Sequence, residues 1–192
     1  MNNGTLPGDL KKATVIPVHK GGDRSLVTNY RPVSLSSGVC KQMEHNIASY
    51  LRQAWVKNDW LYEGQHGFRP GYSCKSQVIT VCQNIADSLD NGERIDAIII
   101  DFSKAFDLVP HGQLLTKIAN SGVDSRVVVW RREFLLGRTQ RVRVGGHLSE
   151  EVRVTSGVPQ GSVLGPLLFL AYVNNISKNI ESTFEFHFQL LN

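Results

Sequence analysis

The sequence lacks the marks of several common protein classes. No apolar run is long enough to cross a bilayer. The opening stretch Met-Asn-Asn-Gly-Thr-Leu-Pro-Gly has neither the basic start nor the apolar centre of a signal peptide. The cysteines are few: Cys40, Cys74 and Cys82 are scattered, odd in number and without metal-ligand spacing. They read as reduced thiols of an intracellular compartment, and no membrane partner is expected. His66, His111, His147 and His187 share no ligand spacing either, which leaves no zinc site to propose. There is no internal repeat, no low-complexity linker, and no glycine-rich loop followed by Lys-Ser/Thr of the kind that marks nucleotide hydrolases.

What is present fits a globular chain. Its 192 residues are 41% hydrophobic and 20% charged, enough for one domain or one and a half with a packed core. The net charge of +4 permits a polyanionic partner without requiring one. Residues 1–12 read as a loose lead-in. Ala13-Thr14-Val15-Ile16-Pro17-Val18 reads as a short strand, at an edge because of Pro17. Asn29 to Leu35 is extended around Pro32. Apolar residues at helical spacing predict helices from about Gly38 to Val56 and from the cap Ser73 to Asn91-Gly92. Shorter helices follow Pro110 and Asp124. Gln140 to Val144 alternates as a half-buried strand does, and Val152-Arg153-Val154 pairs back onto it. A last helix spans Val163 to Ile176, with Pro166 in its first turn.

The run Ala97-Ile98-Ile99-Ile100 reads as a strand buried on both faces, and it stops at Asp101. An acid at a strand end is placed to hold a metal or a reactant, or simply to cap the turn Phe102-Ser103-Lys104. Asp107 either faces the same site or bonds backbone before Pro110. Arg69, between glycines and beside Phe68, either grips a phosphate bidentately or is a solvated loop arginine. The loop Ser156 to Ser162 either offers backbone amides to an anion or is an ordinary turn into a helix. Arg131, Arg132, Arg138, Arg141 and Arg143 crowd a short stretch, and Arg141 and Arg143 share one strand face. That is a phosphate-backbone footprint or a solvated charged face.

Taken in order, these blocks resemble the reverse transcriptases of non-LTR retrotransposons, the jockey-like and related LINE-type elements. Lys20-Gly21-Gly22-Asp23 with Asn29-Tyr30-Arg31-Pro32-Val33-Ser34-Leu35 resembles their opening block. Gln65-His66-Gly67-Phe68-Arg69 with Ser73 resembles their fingers motif. Asp101-Phe102-Ser103-Lys104-Ala105-Phe106-Asp107 and Ser156-Gly157-Val158-Pro159-Gln160-Gly161-Ser162 resemble their first and second palm motifs, and Arg138 to Val144 fits the hairpin between those. The resemblance implies an α+β right-hand polymerase: fingers and part of a palm over residues 13–181, with a divergent tail over 182–192. It implies an RNA template, a DNA primer, dNTP substrates and Mg²⁺. Asp101 would be catalytic and, with the carbonyl of Phe102, would bind metal. Arg69, Phe106, Gln160 and Gly161 would bind the nucleotide, and Arg138, Arg141 and Arg143 the nucleic acid. Asp107 would be structural support.

The family's third palm motif, an aromatic residue, one variable residue and two aspartates, is expected soon after Ile176. No Asp pair occurs there, Asn175 stands where relatives carry an aspartate, and the thumb is absent. Two cations need several anionic ligands, so this chain alone is expected to polymerise negligibly, and the Ile95–Asp101 strand to have an open edge. A non-catalytic nucleic-acid-binding remnant of the same element remains as a second reading, and a piece with no stable fold as a third.

Overall fold

The computed structural model describes residues 6–96, 99 and 101–176. It is a mixed α/β molecule that divides into two compact units, residues 1–60 with 104–172 and residues 61–103 with 173–192.

The first unit is built on a sheet. Its strands are β1 (Lys12–His19), β2 (Tyr30–Leu35), β3 (Thr139–Val144), β4 (His147–Leu148) and β5 (Val152–Arg153). The order is β2-β1-β3-β4, with β5 also on β3. β1 runs antiparallel to β2 and parallel to β3. Residues 6–11, expected as loose, contribute the buried Leu6 and a 3-10 turn at Gly8–Lys11.

Pro17 does not mark an edge strand, since β1 lies between β2 and β3. The local physics behind the expectation still operates. β3 pairs only with Lys12 to Val15, so Pro17 lies past its reach. On the other side Pro17 faces Pro32. Ser34, two residues on, turns its N–H away from β1 to the carbonyl of Gln160 at 2.7 Å. The Pro17–Pro32 pair has the same orientation, so neither missing N–H costs a ladder bond.

Helix α1 (Gly38–Lys57) begins where the Ser37 side chain accepts the N–H of Cys40. It buries Cys40, Glu44, Ala48, Leu51 and Trp55, one stripe at helical spacing. Helices α3 (His111–Ala119) and α4 (Ser125–Leu135) add Leu114, Ile118, Trp130, Phe134 and Leu135 to the same core. Trp55 stacks obliquely on Trp60 at 5.0 Å and donates its indole N–H to Ser121 at 2.8 Å. Each large apolar side chain so buried contributes about 1.5–3 kcal/mol. Asp124 caps α4 as expected, accepting from the Arg126 N–H and guanidinium, and those bonds hold its carboxyl down at about 2.

Helix α5 (Gly165–Val173) is almost wholly apolar and mostly buried. It starts two residues later than expected, at Gly165, and the amides of Val163 and Leu164 just ahead of it are met by a side chain.

β3 is not half-buried. Val142 and Val144 are 37% and 62% exposed, because only the first part of the strand lies against β1 and the rest projects as a hairpin with β4.

In the second unit, α2 (Cys74–Asp90) carries the expected Ser73 cap, reinforced by a reciprocal bond from Ser76, and stops before Gly92 at φ 75°. Its apolar stripe is not a core face: Val78, Ile79 and Leu89 are more than half exposed, and Gln77 is its buried residue. The strand expected over Ala97–Ile100 falls largely outside the described residues. Of that run only Ile99 is described; it lies in no strand and is 94% exposed, and Ile95 and Asp96 before it lie in no strand either. The tail 182–192 lies outside the described residues.

Candidate active site

The site candidates fall in both units. In the first, the loop Ser156 to Ser162 is held on two sides. From residues 104–111 it receives four bonds: Val158 N–H to the Phe106 carbonyl at 2.7 Å, Gly157 N–H to Val109 at 2.8 Å, Ser156 Oγ to the Asp107 carbonyl at 3.0 Å, and His111 Nε2 to the Gly157 carbonyl at 2.7 Å. A carbonyl only accepts, so Nε2 of the buried His111 carries the proton. From β2, the Ser34 N–H reaches Gln160.

This double approach explains the glycines. A Cβ on Gly157, at φ +85°, would sit 2.7 Å from the carbonyl oxygens of both Phe106 and Asp107. A Cβ on Gly161, at φ +96°, would sit 3.0 Å from the Ser34 carbonyl. Asp107 thus serves the loop through its backbone.

The loop ends in a polar clamp. Ser162 Oγ donates to the Pro159 carbonyl at 2.8 Å and accepts from Gly165 N–H at 2.8 Å. Glu44, fully buried on α1, accepts the N–H groups of Val163 at 2.7 Å and Leu164 at 3.1 Å on one carboxylate oxygen. Its other oxygen lies 3.4 Å from Cys40 Sγ. Burial first, and then the Glu44 charge, push the Cys40 thiol up to about 11.

Phe106 and Gln160, both expected at a nucleotide, line one cleft of about 370 Å³ with Ser34, His111, Gln140 and Arg138. The Phe106 ring is half-buried and stacks on Phe169 at 5.2 Å. Arg138 departs from its expected place on a basic surface. It is 3% exposed, donates to the Phe134 carbonyl at 3.3 Å, lies over the Phe134 ring and bonds Cys40. Burial lowers its pKa against the pull of Cys40 and Glu44. Its position between the turn Leu136-Gly137 and β3, on the cleft lining, outweighs its charge. Arg141 and Arg143 are exposed, and Arg141 pairs with Glu151 at 2.9 Å. The register Thr139↔Arg153 places Arg153 on their face.

In the second unit, Arg69 is neither free in solvent nor aimed as a bare fork. One terminal nitrogen donates to the carbonyls of Tyr62 at 2.9 Å, Glu63 at 3.2 Å and Gln65 at 3.4 Å, and the guanidinium lies 4.5 Å over Tyr72. Phe68 beside it adopts φ 58°, a strained conformation for a bulky residue. His66 bonds Ser76 Oγ at 3.0 Å, tying the motif to the start of α2. Asp101 is exposed and Phe102 half-buried, and neither lies in a helix or strand. Among the described residues, no three His, Cys, Asp or Glu side chains gather to hold a metal ion. A two-ion centre therefore does not fit the described residues by themselves.

Glu44 and His111 escaped the sequence reading. Glu44 carried a signal: an acid at the centre of the otherwise apolar stripe 40, 48, 51, 55 of α1. His111 carried none beyond its place after Pro110.

The chain matches the family described as "Reverse transcriptase (RNA-dependent DNA polymerase)" over residues 16–190. It is 34% identical over 172 residues to the "Probable RNA-directed DNA polymerase from transposon BS" of Drosophila melanogaster, covering 89% of this chain and 19% of that protein. It is 32% identical to the "RNA-directed DNA polymerase from mobile element jockey" of the same fly, covering 90% and 19%. It is 25% identical to the "Retrovirus-related Pol polyprotein from type-1 retrotransposable element R2" of Popillia japonica, covering 92% and 24%. The chain spans about a fifth to a quarter of the length of these curated relatives.

Proposed function

Because this chain belongs to the reverse transcriptase (RNA-dependent DNA polymerase) family, with relatives among non-LTR retrotransposon polymerases, we propose that residues 13–181 form fingers and part of a palm. The substrates are an RNA template, a DNA primer and a dNTP. The observation that carries this reading is the pinned loop Ser156–Ser162, which puts Gln160 and Phe106 on one cleft. There Phe106 gives a flat apolar wall for a sugar, and Gln160 and Gly161 border the base. Arg69, fixed by three carbonyls on one nitrogen, offers the rest of its fork to a triphosphate. Asp101 and the Phe102 carbonyl are the first ligands of a divalent-metal centre, which supplies charge neutralisation in nucleotidyl transfer when complete.

Since one exposed carboxylate does not hold two ions, the purified 192-residue polypeptide binds nucleotide but polymerises negligibly. Two measurements check this. Titration with dTTP in Mg²⁺ shows binding that falls at least about tenfold in Gln160→Ala. Primer extension on poly(rA)/oligo(dT) shows no incorporation above background. Clear incorporation abolished by Asp101→Ala overturns the inactivity, and absent dTTP binding overturns the nucleotide site.

A second reading rests on the exposed face of β3. Arg141 and Arg143 stand on it two residues of strand rise, about 6.6 Å, apart, and Arg153 of β5, opposite Thr139, shares their face. This face binds RNA through phosphates, without sequence preference. RNA affinity that survives Asp101→Ala and falls in Arg141→Ala/Arg143→Ala distinguishes it from the first.

A further inference from the structure

We propose that Glu44 is a positioning residue for the nucleotide cleft, acting through the loop that carries Gln160; this rests on the nucleotide-site reading above. Glu44 is not among the residues that line the cleft. It lies on the buried stripe of α1, where every other inward residue is apolar or a thiol. A carboxylate there is costly unless its charge is met, and this one is met in three ways. Two consecutive backbone N–H groups, of Val163 and Leu164, converge on one oxygen at 2.7 and 3.1 Å. Cys40 Sγ stands 3.4 Å from the other. Arg138, buried and lining the cleft, supplies the opposite charge, with Cys40 bonded to both.

The consequence is mechanical. Gln160 and Gly161 lie between two fixed points, the Ser34 N–H on the Gln160 carbonyl and the Glu44 carboxylate on the next two amides but one. Only two residues of chain, Gly161 and Ser162, separate Gln160 from Val163, so the carboxylate sets where the Gln160 side chain enters the cleft. The bonds are charge-assisted and roughly twice as strong as neutral ones. The carboxylate also sits ahead of α5, where the helix dipole favours an anion. The helix begins at Gly165, with the Leu164 carbonyl accepting from the Leu168 N–H at 2.8 Å. Without the charge, the amides of Val163 and Leu164 lose their strongest acceptor and the loop loses its second fixed point.

The test uses the full chain, with Glu44→Gln and Glu44→Asp. Glutamine keeps size but removes charge and brings donors against donors; aspartate keeps charge but falls a methylene short. Three quantities are measured: dTTP affinity in Mg²⁺, RNA affinity, and hydrogen exchange of the peptide covering residues 156–165. In Glu44→Gln, dTTP affinity falls about tenfold and the loop amides exchange faster, while RNA affinity and a cooperative thermal transition persist. Glu44→Asp falls between. Unchanged dTTP affinity in Glu44→Gln, or RNA affinity lost in the same proportion as dTTP affinity, overturns the proposal; the latter result means a general structural role. If Glu44→Gln does not fold, wild-type dTTP affinity in Glu44→Asp overturns it. Absence of dTTP binding by the unsubstituted chain removes the nucleotide-site reading itself, and this inference with it, before any substitution is made.

Discussion

Four arginines close in sequence have opposite fates. Arg131 and Arg138 are buried, 0% and 3% exposed, while Arg141 and Arg143 are on the surface. All four are the same residue type within one short stretch of chain. What separates them is geometry: the pitch of α4 turns Arg131 inward beside Trp130 and Phe134, and the pleat of β3 turns Arg141 and Arg143 to its open face. The buried two also differ from each other. Arg138 has Cys40, the Phe134 carbonyl and the Glu44 charge around it. Arg131 has the Trp55 ring at 5.8 Å and a weak pull from Tyr50, and none of its three side-chain nitrogens hydrogen-bonds a described residue. A run of arginines is therefore three kinds of object: a counter-charge, an unmet buried cation and a solvent-facing grip.

The largest expected effect follows from removing the counter-charge. Arg138→Met leaves the Glu44 carboxylate buried with no cation, and costs about 3–5 kcal/mol of stability. Urea unfolding checks it; a loss under 1 kcal/mol means that the backbone amides alone balance Glu44.

Arg131 is the opposite case. Its burial, slightly offset by Tyr50, pulls its pKa down from the ordinary guanidinium range to about 9. Folding then favours the neutral form, so the cost is fully present below pH 9 and is relieved as pH rises above it toward the ordinary guanidinium pKa. Arg131→Met removes that cost and stabilises the chain at pH 7 by about 1–3 kcal/mol. The gap between variant and parent narrows above pH 9. The Cys40 thiol works the other way, its folded pKa being raised from 9.0 to about 11, so that it loses stability over that window. It is common to both chains and cancels in the difference. A destabilised Arg131→Met means instead that the cation has found a partner.

How much of this was legible beforehand depends on how local the cause is. Caps and stops were: Ser73, Asp124 and Gly92 act within four residues of themselves, and the structure uses each as expected. The extended stretch around Pro32 was legible for the same reason. Pro17 misled, because strand position depends on where β3, more than a hundred residues later, stops pairing. The stripe of α2 misled, because spacing gives a face but not a partner to cover it. At the candidate site, motif order located the loop Ser156–Ser162, but the acid that clamps it lies 119 residues away on another helix. No pattern along the chain joins those two positions.

The smallest effect on stability, and the one that separates grip from counter-charge most directly, comes from the surface pair. Arg141→Gln/Arg143→Gln touches no buried group. It breaks one exposed ion pair, Arg141–Glu151, which is worth about 0–1 kcal/mol. The thermal midpoint therefore barely moves. RNA affinity moves much more, because each cation that leaves a phosphate contact lowers the slope of log affinity against log salt by about 1. Two substitutions flatten that slope by about 2, provided that both arginines face phosphates. Arg143 makes no ion pair among the described residues, whereas Arg141 must leave Glu151 to reach a phosphate. The single variant Arg143→Gln accordingly weakens binding more than Arg141→Gln does. Equal losses mean that the Glu151 pair opens at no cost, and an unchanged slope means that the strand face is only solvated charge.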